Sequence, residues 1–292
     1  QIPDPLAGDR LYRNQLVESD SLYFHDVTRE AGIFSSAQGY GLGLVTSDIN
    51  QDGWMDIYVG NDFHEDDYLY LNQKDGTFKE SRSQMINHTS RFTMGVDIAD
   101  VNGDTHPDIF SLDMLPRNEQ ILMKSGGEDN NKVTEVKLKF GYGHQYARNA
   151  FQLNTGAGTF SEVALLTDTY ATDWSWSVLL QDFDNDGHKD IFITNGIYKR
   201  PNDLDYINFL STLDMTLVSD KNQDSLDQVL IQRMPTLKIP NYMFKNKGGL
   251  RFEEVSRVWG LGEPSYSNGA AYADLDNDGD LELVINTVNS EA

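Results

Sequence analysis

The sequence predicts an all-β fold assembled from repeated four-stranded units, and three observations predict it. A nine-residue acidic loop occurs four times. Each copy runs into a short β-branched or aromatic segment of strand character. Two further alternating segments, separated by a Gly-containing turn, follow the first copy and return after the second and third.

The loop comes first, because the strands are arranged around it. Its copies are Asp48-Ile49-Asn50-Gln51-Asp52-Gly53-Trp54-Met55-Asp56, Asp100-Val101-Asn102-Gly103-Asp104-Thr105-His106-Pro107-Asp108, Asp182-Phe183-Asp184-Asn185-Asp186-Gly187-His188-Lys189-Asp190 and Asp274-Leu275-Asp276-Asn277-Asp278-Gly279-Asp280-Leu281-Glu282. Oxygen-bearing side chains stand at positions 1, 3, 5 and 9 of every copy. With a backbone carbonyl at position 7 (Trp54, His106, His188, Asp280), this is how a short loop wraps a hard cation. Several carboxylates that close repel one another unless a cation lies between them. The expected ligand is therefore calcium, with up to four ions. Position 6 is Gly in three copies, where a sharp turn calls for positive φ. Thr105 stands there in the second copy, so that site is expected to be weaker or distorted.

An EF-hand also begins Asp-x-Asp-x-Asp-Gly, but it needs a bidentate Glu at position 12 and flanking helices. Position 12 here is Val59, Ser111, Ile193 or Ile285. Ile57-Tyr58-Val59, Ile109-Phe110-Ser111, Ile191-Phe192-Ile193 and Leu283-Val284-Ile285 read as strands. The loop thus joins two strands.

In the first full unit, residues 39–80, Tyr40 to Thr46 leads into the loop and Ile57 to Gly60 leads out. Asp67-Tyr68-Leu69-Tyr70-Leu71-Asn72 is a third strand and Thr77-Phe78-Lys79-Glu80 a fourth. Four antiparallel strands per repeat make a propeller blade. A second blade spans 91–164, starting with Phe92 to Gly95, and carries an insertion at 113–146. A third spans 174–256, with an insertion at 196–240 where Leu204, Ile207, Leu210 and Leu226, Val229, Leu230 suggest two short helices. Residues 265–292 supply only two inner strands. Residues 1–30 supply two outer ones, Arg10 to Asn14 and Leu22 to Thr28. The halves add up to one blade, so the chain is expected either to close as a four-bladed ring or to be a slice of a longer propeller. Loop starts lie 52, 82 and 92 residues apart, and the insertions explain the growth.

Composition agrees with this. Net charge is −23, which disfavours nucleic acid and offers no basic patch to anionic lipid. Part of that charge is expected to be ligand charge. There are no cysteines, hence no disulfide staples. No apolar run is long enough to span a bilayer as a helix. The ends, Gln1-Ile2-Pro3 and Ser290-Glu291-Ala292, read as cut.

The repeats resemble the FG-GAP/VCBS family, which includes the integrin α-chain propeller. Gly41-x-Gly43 before the loop, the loop itself, Leu69-Tyr70-Leu71-Asn72 and Asp75-Gly76-Thr77-Phe78 carry that resemblance, which covers nearly the whole chain outside the insertions. Longer stretches are similar to large surface proteins of Bacteroidetes in which such repeats precede a domain shared with cartilage acidic proteins. These stretches are Gly60-Asn61-Asp62-Phe63, His88-Thr89-Ser90, Asp113-Met114-Leu115-Pro116, Thr172-Asp173-Trp174-Ser175-Trp176, Arg200-Pro201-Asn202-Asp203-Leu204-Asp205-Tyr206 and Ser267-Asn268-Gly269-Ala270-Ala271-Tyr272. The resemblance implies a seven-bladed-type propeller with calcium on one face. It also implies export to the exterior or the outer-membrane surface, often as a lipoprotein.

Other constellations point to no catalysis. His64 with Glu65, Asp66 and Asp67 reads as a solvated loop. His88-Thr89-Ser90 reads as a turn or cap, since no Gly-x-Ser-x-Gly elbow accompanies it. Trp174 and Trp176 alternate and are expected between blades, or at a rim where they could stack on a sugar. The expected protein is not an enzyme. It is a calcium-binding cell-surface module for adhesion or recognition of a protein or glycan, with the insertions as its recognition surface. Alternatives are an accessory subunit of an outer-membrane TonB-dependent uptake complex, and a propeller-type polysaccharide lyase or hydrolase.

Overall fold

The computed structural model describes residues 8–16, 22–126, 131–213 and 223–289. The remaining residues of the two expected partial blades lie outside these spans. Three four-stranded antiparallel sheets dominate. The first is β3 (Gly41–Ser47), β4 (Asp56–Asn61), β5 (Tyr68–Asn72) and β6 (Phe78–Glu80), hydrogen-bonded in that order. The second is β8 (Val96–Ala99), β9 (Asp108–Ser111), β11 (Ala150–Asn154) and β12 (Phe160–Glu162). The third is β13 (Ser175–Gln181), β14 (Asp190–Asn195), β15 (Tyr242–Asn246) and β16 (Phe252–Glu254). The fold is all-β and propeller-like.

Burial explains the strand chemistry. The second strands β9 and β14 are buried along their whole length, so they read as unbroken apolar runs between polar ends. Sheets stack face to face through shared cores. Phe110 and Phe151 of the second sheet pack with Val178, Leu180, Ile191 and Phe244 of the third. Tyr58 and Leu69 of the first pack with Ile109 and Phe160 of the second. The first strands line up as neighbours, β3 beside β8 and β8 beside β13, with β17 (Ser267–Ala273) next. Their approach is close enough to require glycine. A Cβ on Gly95 would lie 2.2 Å from the Trp176 carbonyl oxygen.

The half-blades are separate. β1 (Tyr12–Asn14) pairs with β2 (Phe24–Asp26), and β17 pairs with β18 (Glu282–Thr287), each as a two-stranded sheet. Among the described residues no strand pairing joins these two sheets.

The insertions are ordered around short elements. Residues 113–146 contain the helices Glu119–Leu122 and Asn131–Lys139, and end in β10 (His144–Tyr146). The two helices expected in the second insertion are Leu204–Ser211 and Gln223–Arg233.

Phe92 to Gly95 lead directly into β8. Two local expectations are corrected. His88–Ser90 is a strand, β7, parallel to β10, because the returning insertion supplies a partner edge. Glu65, Asp66 and Asp67 are buried, and only His64 of that group is exposed. Asp66 accepts from Arg82 at 2.5 Å and from the Gly143 amide at 2.8 Å. Asp67 accepts from Tyr58 Oη (2.7 Å), the Asn61 amide (2.8 Å) and Thr93 Oγ1 (3.1 Å). Burial still pushes its carboxyl up to about 7. These are buried acids with partners, which a one-dimensional reading of four polar residues in a row does not distinguish from a wet loop.

Candidate metal centres

All four loops share one backbone path. The position-1 carboxylate turns inward over the loop and is gripped by its amides. In the first copy Asp48 Oδ1 accepts from the Asp52 amide at 2.9 Å and Oδ2 from the Gly53 amide at 2.8 Å. Asp100, Asp182 and Asp274 repeat this pattern on the amides of residues 104 and 105, 186 and 187, and 278 and 279. The position-5 carboxylate accepts from the amide of position 7: Trp54, His106, His188 and Asp280. This turns the position-7 amide toward Asp52, Asp104, Asp186 or Asp278.

Positions 4 and 6 both take positive φ in every copy. Gln51, Gly103, Asn185 and Asn277 have φ between 56° and 78°, and Gly53, Thr105, Gly187 and Gly279 between 76° and 96°. The second loop therefore holds its Gly at position 4, and Thr105 adopts φ 76° at position 6. The expected distortion is absent from the backbone path and resides in Thr105 as strain. A left-handed L-residue costs about 1–2 kcal/mol, partly offset on substitution by the extra freedom glycine gives the unfolded chain. Thr105→Gly is expected to raise the urea midpoint by the equivalent of roughly 1 kcal/mol. A midpoint that stays the same or falls would show that the turn is not strained.

Position 9 anchors each loop to the sheet. Asp56 Oδ2 accepts from the Ile49 amide at 3.0 Å and Oδ1 from the Asn72 amide at 2.8 Å. Asp108 and Asp190 do the same with Val101 and Asn154, and with Phe183 and Asn246. Burial pushes Asp108 and Asp190 up to about 6, against the lowering effect of those amides, and raises Asp56 as well. In the fourth loop, Glu282 accepts from the Leu275 amide at 2.7 Å.

The Asn that ends each third strand is a functional feature that the motif spacing did not single out. Asn72 Nδ2 donates to the Met55 carbonyl of its own loop. Asn154 Nδ2 donates to Pro107 of its own loop and Ile49 of the preceding one, and Asn246 Nδ2 donates to Lys189 and Val101. Each of the last two amides therefore ties a loop to its neighbour one blade back. The repeated Asn at the end of an alternating apolar segment was the signal available.

Carboxylate oxygens of Asp182, Asp184 and Asp190 lie within 4.8 Å of one another, as do those of Asp274, Asp276 and Glu282. In the first two copies Asn50 and Asn102 replace one carboxylate, and each donates to its own position-5 acid, Asp52 or Asp104. The residues fit a hard divalent cation. The side-chain donors are all oxygen, and Asp184 Oδ1 is buried without a hydrogen-bond partner. The ammonium of Lys245 rests against Asp184 and lies 3.0 Å from Asp186, standing in for positive charge there. Lys74 approaches Asp52 at 3.3 Å. The rings of His106 and His188 lie near Gly156 and Gly248 in outer-strand turns.

The acidic loops sit at one end of the strands and both insertions leave from the other. There the insertions touch: Ser125 bridges to Asp203, the Gly126 amide donates to Asn202 O at 2.7 Å, and the Leu204 amide donates to Lys124 O at 2.8 Å. A cavity of about 470 Å3 opens at this end. Its wall includes Asp62-Phe63, Asp113 to Pro116, Trp174 and Pro201-Asn202, so segments distant in sequence meet there. Trp176 instead donates its indole N–H to the Gly196 carbonyl at 2.8 Å, and a bulge after Ser175 breaks the alternation that would have paired the two indoles.

Stacked four-stranded sheets with an Asp-rich loop between the first two strands define a propeller-like protein built from acidic-loop repeats. Residues 48–111 and 141–193 match the FG-GAP-like repeat family, and the chain carries FG-GAP-like repeats there. Integrin alpha-3 of Mus musculus is 30% identical over 81 residues, 24% of this chain and 8% of the integrin. Integrin alpha-3 of Cricetulus griseus is 30% identical over 114 residues, 35% of this chain and 10% of the integrin. The chain thus matches no more than 10% of the length of these curated relatives. Among the described residues no helix is long and apolar enough to cross a membrane.

Proposed function

We propose that the chain is a calcium-stabilised recognition module that acts outside the cell by binding a protein or glycan, without turning it over. The observation that carries this reading is the division of labour between the two ends of the strands. One end holds four acidic loops of shared geometry. The other holds two long insertions joined to each other and a cavity between blades. Loops mounted on a rigid scaffold are where binding concentrates, and the integrin likeness supports a ligand-binding role. The resemblance to exported surface proteins supports an extracellular or outer-membrane location, where a transporter complex is one candidate partner assembly.

The test keeps the scaffold and removes the surface. Arg200 pairs with buried Asp173, and its amide donates to Pro235 O, so the stem of the second insertion belongs to the fold. Replacing residues 204–234 with a short Gly-Asn linker spares that stem. The shortened protein is expected to bind calcium as before and to lose its partner in co-purification from native membranes. Full partner retention would move recognition to the loop end or the blade edges.

A further inference from the structure

The cavity between the insertions is lined in a way that selects its occupant. Three dipeptides of one type converge on it from three blades: Asp62-Phe63, Asp113-Met114 and Asp173-Trp174. In each the Asp carboxylate accepts from the amide of the residue after it, at 2.9, 2.6 and 2.6 Å. That short loop holds the backbone so that Phe63, Met114 and Trp174 form the wall. Phe63 and Asp173 take φ of 66° and 74° in doing so, a region that L-residues enter only when their surroundings hold them. Phe92, Met94 and Leu115 add apolar lining, Ser125 and Asn202 add polar lining, and Phe63 meets Phe92 edge to face at 5.7 Å.

Two polar atoms of the wall are left for a ligand, the Trp174 indole N–H and the Asn202 Oδ1, both buried without a hydrogen-bond partner. Asp113 lines the wall, but its carboxylate is engaged by Ser90 Oγ and by the amides of Arg91, Phe92 and Met114. A sugar would bring more hydroxyls than these two atoms and Asp62 can meet, and the rest would lose water without finding partners, which disfavours it. An apolar group loses nothing on entry and leaves water. Among the described residues no Lys, Arg or His lines the cavity, Asp62 does, and the chain carries −23 overall. Arg91 lies alongside, over the Phe92 ring at 4.9 Å, and offsets part of the local charge of Asp62. Favourable flanking charge on a ligand is therefore positive.

We propose that this cavity receives one large apolar side chain, aromatic or branched aliphatic, presented by a basic segment of a protein partner. The proposal rests on the insertion end being the recognition surface and names what it recognises. The probe is a labelled basic heptapeptide with Trp, Leu or Ala at its centre, titrated against the calcium-loaded chain by fluorescence anisotropy. The Trp and Leu peptides are expected to bind at least about tenfold more tightly than the Ala peptide, as burial of one such side chain allows. Leu122→Gln, at the exposed rim, and Met114→Gln, in the wall, are each expected to weaken the Trp peptide about tenfold. Equal affinity for the three peptides, or indifference to both substitutions, overturns the proposal. So does no binding up to about 1 mM, or displacement of the Trp peptide by neutral oligosaccharides. If the 204–234 replacement abolishes partner binding while the peptides fail, only the cavity assignment falls. If that replacement leaves partner binding intact, the recognition surface itself is wrong.

Discussion

Stripping calcium with excess chelator is expected to lower the melting temperature by more than about 10 °C. A ligand that binds only the folded state contributes about 2.7 kcal/mol per site at 100 times its Kd. Four such sites exceed half the stability of an ordinary domain. Each loop carries oxygen-bearing side chains at positions 1, 3, 5 and 9, and burial already raises Asp108 and Asp190 to about 6. Without a cation the carboxylates of one loop repel each other. Melting should be followed by circular dichroism in calcium, in magnesium and in chelator. Coincident curves in calcium and chelator would remove calcium from the account of this fold, and equal protection by magnesium would remove the preference for the larger ion.

The second large effect is expected from Asn246→Ala. The Asn246 side chain donates to Val101 O and Lys189 O, both at 2.9 Å, and accepts from the Gly248 amide at 2.9 Å. Alanine leaves two carbonyls and one amide without partners at a buried site. A buried orphan costs about 1–3 kcal/mol, so a loss of at least about 3 kcal/mol is expected. Asn246→Asp is the informative companion, since it keeps the acceptor, loses both donors and turns a negative oxygen toward the two carbonyls. It is expected to fall at least as far as alanine. Urea unfolding of the two variants beside the unaltered protein measures the effect. A change below about 1 kcal/mol for alanine would mean that water replaces the amide without cost.

The sequence exposes the loops because metal chemistry fixes residue type at fixed spacing. It exposes β4 and β5 because these buried strands are runs of β-branched and aromatic residues between polar ends. It hides what depends on partners far along the chain. Asp66 looks solvated until Arg82 and Gly143 are folded onto it. His88–Ser90 has no strand partner until residues 144–146 return from an insertion. Thr105 looks like a defect because glycine was expected at position 6, whereas positions 4 and 6 both turn left-handed and Gly103 serves the other one. The cavity is assembled from separate segments between residues 62 and 202, and no local pattern announces it.

The amides of Asn154 and Asn246 reach past their own loops to Ile49 and Val101 of the preceding ones. A cation that stiffens one loop therefore also steadies the carbonyl on which the next blade hangs. The converse holds with equal magnitude, since coupling between two sites is reciprocal. Neighbouring loops then respond as a linked series, each filled site making the adjacent one easier to fill. On the proposed calcium-binding reading, the protein would pass from loose to rigid over a narrower span of calcium concentration than independent loops allow.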